Sequence, residues 1–348
     1  MKKKSLAIIG ATSLVGIAAA GAIGAISNYF YDIALDRDPK KRTDFYKRFT
    51  SDTEKKHEEV SKEIHKLEEV YIGWFENESN YKDVYIDSYD GLKLHGCEVI
   101  ANKESHKWVI TIHGYAGNCK DMSYLVQQFK ESDYNVLTPN LRGHGKSEGK
   151  YIGMGWHDRK DILKWIDYIL EKDKNAEIVL YGISMGAGTV MMTVGEELVP
   201  NVKAAIEDCG YTSAWEEFGY QIEMFNQKAL KRPVLTVADI ITKVRAGYRL
   251  REASAIKQLE NSKIPMLFIH GDEDKFVPYY MLDKLYEAAK CPKEKLVVHG
   301  AGHAQSIVLE PELYWEKVSS FLEQYVDNKS AEEDLVVNEE MILNVVGE

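Results

Sequence analysis

The chain has 348 residues, 45% of them hydrophobic and 28% charged, enough apolar side chain to bury one large core with appendages. A formal net charge of −11 argues against a nucleic-acid partner, because phosphate binding needs a basic footprint. The four cysteines, Cys97, Cys119, Cys209 and Cys291, are irregularly spaced, which suits free buried thiols better than a disulfide framework or a metal cluster.

At the N-terminus Lys2-Lys3-Lys4 precedes an uncharged stretch of 27 residues, Ser5 to Tyr31, longer than the ~20 residues that cross a bilayer. A cleaved signal has a shorter apolar region of about 7 to 15 residues. Residues 1–31 are therefore expected to form an uncleaved single-pass membrane anchor, with Tyr29-Phe30-Tyr31 at the interface. Small residues near Ala22 and Ala25 leave cleavage as an alternative, and a buried helix is a third. The lysine tail suggests a cytoplasmic N-terminus and an extracytoplasmic body. Arg37, Lys40, Lys41, Arg42, Lys47 and Arg48 argue for the opposite orientation. Residues 32–80 read as a charge-rich helical stem, with Val60, Ile64, Leu67 and Tyr71 spaced along one docking face.

Asp83 to Asp87 and Leu92 to Ile100, around Tyr89-Asp90-Gly91, predict an antiparallel hairpin. Further strands near residues 108, 135, 178, 203, 266 and 296 alternate with helical patterns near 121, 157, 187, 280 and 312. That alternation specifies a mostly parallel sheet with helices on both faces, an α/β architecture. The strand Trp108 to Ile112 ends in His113-Gly114-Tyr115, a turn able to aim the Tyr115 backbone N–H above a site at the sheet edge. Ile178 to Tyr181 runs into Gly182-Ile183-Ser184-Met185-Gly186 and then a helix-compatible stretch, the strand, sharp turn and helix that a nucleophilic serine needs. The Met185 N–H, at the first turn of that helix, is the second candidate donor for an oxyanion. Asp208 ends the next strand.

About fifty residues separate Asp208 from the strand that follows Ile264, far more than the two to six of a plain connection, and are read as a helical lid at about 213–260. Trp215, Phe218, Tyr220, Met224 and Phe225 are candidates to line an acyl pocket there. Lys228, Lys231, Arg232, Lys243, Arg245, Arg249 and Arg251 stand against Asp239 alone, a basic excess suited to an anionic substrate or surface, or to a solvated helix face. Beyond the lid, a loop with Asp272 and Asp274 follows one strand, and Gly300-Ala301-Gly302-His303-Ala304 follows the last. After these, residues 328–348 form an acidic tail.

The order Ser184, Asp274, His303 resembles the triad order of the α/β-hydrolase superfamily, and the likeness spans roughly residues 81–327. Leu141 to Ser147 is similar to a structural loop of that family, with Asn140 where the family usually has Asp. The resemblance implies an α/β-hydrolase fold with a lid, of bacterial membrane-anchored esterase type, with Ser184 as nucleophile, His303 as base and Asp274 as acid. Asp274 fits because the family's acid stands three residues before the Val of a Val-Pro pair; Asp272 and Asp208 are the rivals. His113, His144 and His270 read as braces for glycine loops, and His299 lies in a strand.

The implied chemistry is carboxylic-ester hydrolysis through an acyl-enzyme, with Tyr115 and Met185 holding the oxyanion. The substrate is a small-molecule ester, lipid-like or anionic. Peptide or amide cleavage and acyl transfer are the alternatives on the same scaffold, and a non-enzymatic binding module is disfavoured. No cofactor or metal is called for: the chain lacks His-Glu-x-x-His, Cys-x-x-Cys and Gly-x-x-x-x-Gly-Lys patterns.

Overall fold

The computed structural model describes residues 20–38, 58–224 and 228–326. Eight strands form one sheet: β1 (Lys82–Asp87), β2 (Lys93–Val99), β3 (Lys107–Ile112), β4 (Asn135–Pro139), β5 (Glu177–Ile183), β6 (Val202–Asp208), β7 (Met266–Gly271) and β8 (Lys293–Val298). Their spatial order is β1-β2-β4-β3-β5-β6-β7-β8. The β1/β2 and β2/β4 pairs are antiparallel and all later pairs are parallel. The central strands are almost continuously buried, as strands covered on both faces must be.

The described helices are α1 (residues 20–34), α2 (Glu58–Asn77), α3 (Ser123–Glu131), α4 (Asp158–Lys172), α5 (Met185–Thr193), α6 (Ala214–Met224), α7 (Lys228–Ala246), α8 (Ala255–Leu259), α9 (Tyr280–Ala288), α10 (Ser306–Leu309) and α11 (Pro311–Leu322). They cover both faces, giving two apolar layers: one holds Ile110, Trp165 and Phe268, the other Phe129, Tyr181 and Phe321. This is the α/β-hydrolase fold. Asn140, the departure from the family pattern, braces its loop: it accepts the Cys119 N–H at 2.7 Å and its amide lies 2.7 Å from His95 Nδ1. All four cysteines are free and buried, with the sulfurs of Cys97 and Cys119 3.2 Å apart.

The N-terminal expectation changes. Residues 1–19, most of the span read as a membrane anchor, lie outside the described residues, as do residues 39–57 with their basic cluster and the acidic tail. The part that is described docks on protein. Ser27, Phe30, Tyr31, Ala34 and Leu35 are buried, the Ser27 hydroxyl donates to the Val234 carbonyl on α7, and Phe30 meets Phe218 edge to face at 5.1 Å. Phe30 and Tyr31, expected in an interfacial belt, thus fill the underside of the lid, while Tyr29 is exposed. Past α1 the chain meets the sheet-bearing body at the bridge Asp36↔Tyr151. Among the described residues no helix is long and apolar enough to cross a membrane.

Candidate active site

Ser184 stands between β5 and α5 at φ 56° and ψ −114°, a backbone region that side-chain-bearing residues seldom adopt. The turn holds because its flanking glycines admit close backbone approach: a Cβ on Gly182 would lie 2.2 Å from the Gly186 carbonyl oxygen, and one on Gly186 would lie 2.0 Å from that of Ile112. The strain lifts the hydroxyl above the C-terminal edge of the sheet, where the loops after β3, β7 and β8 converge.

His303, in the loop after β8, places Nε2 2.9 Å from Ser184 Oγ and Nδ1 2.7 Å from Asp274 Oδ2. Asp274, in the loop after β7, accepts the backbone N–H groups of Phe276 and Val277 on Oδ1 at 2.8 and 2.9 Å. A second imidazole, His270, lies on β7 with Nε2 3.3 Å from Asp274 Oδ2 and 2.9 Å from the Val277 carbonyl. Burial opposes ionisation of Asp274, but the charges and hydrogen bonds of His303 and His270 outweigh it and hold the carboxyl well below the usual range. For His270 burial opposes the charge too, yet the Asp274 partner pushes the imidazole up to about 9. Sequence reasoning gave His270 only a bracing role; its four-residue offset from Asp274 was the available clue. His113 and His144 do brace their loops, through the carbonyls of Gly114 and Arg142.

Neither rival acid is hydrogen-bonded to His303. Asp272 binds His299 Nδ1 and the Gly300 N–H, both at 2.7 Å, on the exposed side of the loop. Asp208 accepts the Tyr314 hydroxyl at 2.8 Å, and burial pushes its carboxyl up to about 6. On the oxyanion side, Tyr115, Ser184 and Met185 line one cleft. Met185 opens α5, where a helix leaves N–H groups without an internal partner. A Cβ on Gly114 would sit 3.5 Å from Ser184 Cβ, so the turn carrying Tyr115 runs beside Ser184. The Tyr115 hydroxyl donates to the Ala34 carbonyl at 2.9 Å, tying this turn to α1.

The lid places its aromatics differently from the expectation. Of the candidates, Phe218 lines the cleft; Trp215 instead stacks under the Arg251 guanidinium at 3.5 Å, Met224 is exposed, Tyr220 is half-buried away from the cleft, and Phe225 lies outside the described residues. Part of the basic excess is paired, mostly with residues outside the stretch that was counted. Arg245 binds Asp32 and Asn28 of α1, Arg249 binds Asp239, Lys231 binds Glu223, and Lys243 lies 3.6 Å from Glu252. Among the described residues two groups bring three metal-ligand atoms together, His95/Cys97/Cys119 and Cys209/Asp274/His303. In both, the imidazole nitrogens already face partners within the protein.

Residues 103–232 match the family profile described as "Serine aminopeptidase, S33". The chain is 28% identical over 244 residues to the Bacillus subtilis (strain 168) protein YqkD, covering 70% of this chain and 79% of that one. It is 26% identical over 261 residues to the Arabidopsis thaliana "Alpha/beta hydrolase domain-containing protein WAV2", covering 73% and 82%. The solved structure of the Pyrococcus furiosus esterase Pf2001 superposes with a TM-score of 0.59 at 24% identity, over 72% of this chain and 94% of that one. These matches agree with the observed strand order on the α/β-hydrolase fold and support a hydrolase of that superfamily.

Proposed function

We propose that this α/β-hydrolase-fold chain is a serine hydrolase that cleaves carboxylic esters. The observation that carries the reading is the chain of hydrogen bonds from Asp274 through His303 to a serine held at φ 56°. In this mechanism neutral His303 takes the Ser184 proton as Oγ attacks the ester carbonyl. Asp274 fixes the tautomer and stabilises the imidazolium, and the backbone N–H groups of Tyr115 and Met185 hold the oxyanion. The imidazolium then returns its proton to the departing alcohol. Water, deprotonated by the same imidazole, releases the acid from Ser184.

The test is labelling of the purified chain by a fluorophosphonate probe, followed by turnover of neutral esters. Labelling of Ser184 with hydrolysis of esters is the expected result. No labelling, and no difference between wild type and Ser184→Ala on any substrate, would remove the reading. The family profile's description favours a second reading, amide or peptide cleavage, which predicts Ser184-dependent turnover of aminoacyl arylamides that an ester-only enzyme would leave intact.

Localisation rests on residues 1–19 together with the exposed start of α1. We propose that they hold the enzyme at a membrane with the catalytic body outside the cytoplasm. Alkaline carbonate extraction and protease treatment of intact spheroplasts test this: release by carbonate, or protection from the protease, would overturn it.

A further inference from the structure

Helix α2 packs most deeply towards its C-terminal end. Its C-terminal half packs through buried Phe75, which stacks on Tyr81 at 4.7 Å, and through Tyr71, whose ring meets Tyr124 at 4.7 Å. One and two turns earlier the same apolar face carries Ile64 and Leu67, both only half-buried. Beneath them lies a cavity of about 400 Å³ whose far wall includes Leu125 and Val308 and whose inner end is made by Gly114, Ile183 and Ala304. Ile183 precedes the nucleophile, Ala304 follows the base, and a Cβ on Gly114 would be 3.9 Å from Ser184 Oγ. The cavity therefore ends at the chain neighbours of Ser184 and His303.

Its size falls in the ~300–1,000 Å³ range of small-molecule sites. The cleft under the lid offers only about 20 Å³, enclosed by Phe218, Phe276 and Val277 among others. An ester arm longer than a few atoms has room on one side of Ser184 alone. The carboxylates that line the stem-side cavity are Glu68 and Asp121, with Asp121 accepting the Asn118 N–H and amide. Its charge is thus negative, opposite in sign to what an anionic ligand would need.

Resting on the ester-hydrolase reading, we propose that the cavity between α2 and the catalytic body binds an uncharged linear alkyl arm of the ester, and that Ile64 and Leu67 set its permitted length. The arm belongs to either the acyl or the alcohol half of the substrate, and the chemistry that recognises it is the same: burial of methylenes against an apolar helix face. The stem is then part of the substrate site.

The experiment uses the full chain and two ester series, one extending the acyl group on a fixed alcohol and one extending the alcohol on a fixed acetyl group. In one series kcat/KM is expected to rise about fourfold per added methylene until the cavity is full. Leu67→Trp, which fills the cavity, should flatten that slope relative to the acetate rate of the same variant, and Ile64→Ala should move the optimum to longer chains. The series that responds names the arm. Fluorophosphonate labelling of each variant reports an assembled triad, so that loss of slope is separable from misfolding. A terminal carboxylate on the long chain should reduce kcat/KM at least tenfold.

Wild-type turnover with no length dependence in either series, or a slope untouched by both substitutions in labelled protein, would overturn the proposal while leaving the hydrolase reading intact. Absence of ester turnover and of labelling in the wild type would overturn both.

Discussion

Two clefts with walls of different origin adjoin the turn that carries Ser184. The lid-side cleft is about 20 Å³, walled by Tyr115, Phe218, Phe276 and Val277, and backed by α1, whose Phe30 supports Phe218 and whose backbone anchors Tyr115. The stem-side cleft is about 400 Å³ and is walled in part by α2. Close packing on the first side means that substitutions there act through stability and alignment. On the second they act through the choice of substrate. The comparison separates alterations that slow every ester from those that reorder esters by length.

The largest effect removes both sides at once. Ser184→Ala and His303→Ala should each lower kcat/KM for a short neutral ester by roughly 10⁴- to 10⁶-fold, with the double variant little worse than either single one. Additive losses would show that the two residues do not share a step.

Next comes the acid. Asp274→Asn should lose about 10³- to 10⁴-fold in kcat, whereas Asp272→Asn, which touches exposed His299 and the Gly300 N–H but not His303, should change it by less than about twofold. A reversed ranking would move the acid to Asp272.

The lid-side wall is probed by Phe30→Ala. Emptying this buried site should cost about 3 kcal/mol in urea unfolding and lower kcat for short and long esters alike. For the same reason deletion of residues 1–31, which on the anchor reading alone would spare turnover, should now impair it. Unchanged stability would mean that α1 is dispensable to the lid.

A smaller effect is set by pH. Burial pushes Glu217 up to about 8; Oε1 accepts the Gln221 amide, while Oε2 has no hydrogen-bond partner among the described residues. Because its proton is held more tightly in the folded state, this group's contribution is full below pH ~4.5 and is lost as pH rises towards 8. Asp274 has the opposite sign, with stability present above pH ~4 and lost as pH falls below it. Thermal unfolding of wild type should therefore weaken from pH 5 to 8 more steeply than that of Glu217→Gln; parallel curves would dismiss Glu217 as the cause.

The smallest effect concerns the lid's outer face. With Arg245 and Arg249 already paired within the protein, reversing both charges should cause no selective loss on anionic esters at low or high salt. A salt-sensitive, anion-selective loss would restore the basic face as a binding surface.

Much of the site was legible because its parts are punctuation at strand ends. Gly182 and Gly186 announce a turn that no side chain at those positions could survive, and the strands before His113, Asp274 and His303 each read as short apolar runs. His270 escaped because its role depends on the side chain of β7 turning towards its own loop. Trp215 and Phe218 lie three residues apart on one helix, yet one meets Arg251 and the other the cleft, a division that composition does not express.

What the sequence determined by itself is the alternating sheet and the identity of the residues at its carboxyl edge, since hydrophobic periodicity and turn chemistry are local. Tertiary structure alone decided where the apolar N-terminal helix goes. Removal of Phe30 and Tyr31 from water is favourable in lipid or against a protein surface, and the residues cannot state which. It also decided the lid's charge, because Asp32 pairs with Arg245 across 213 positions, and it decided the unequal room on the two sides of Ser184. Distances between elements far apart in the chain are set by how those elements pack, and packing is not written in any one segment.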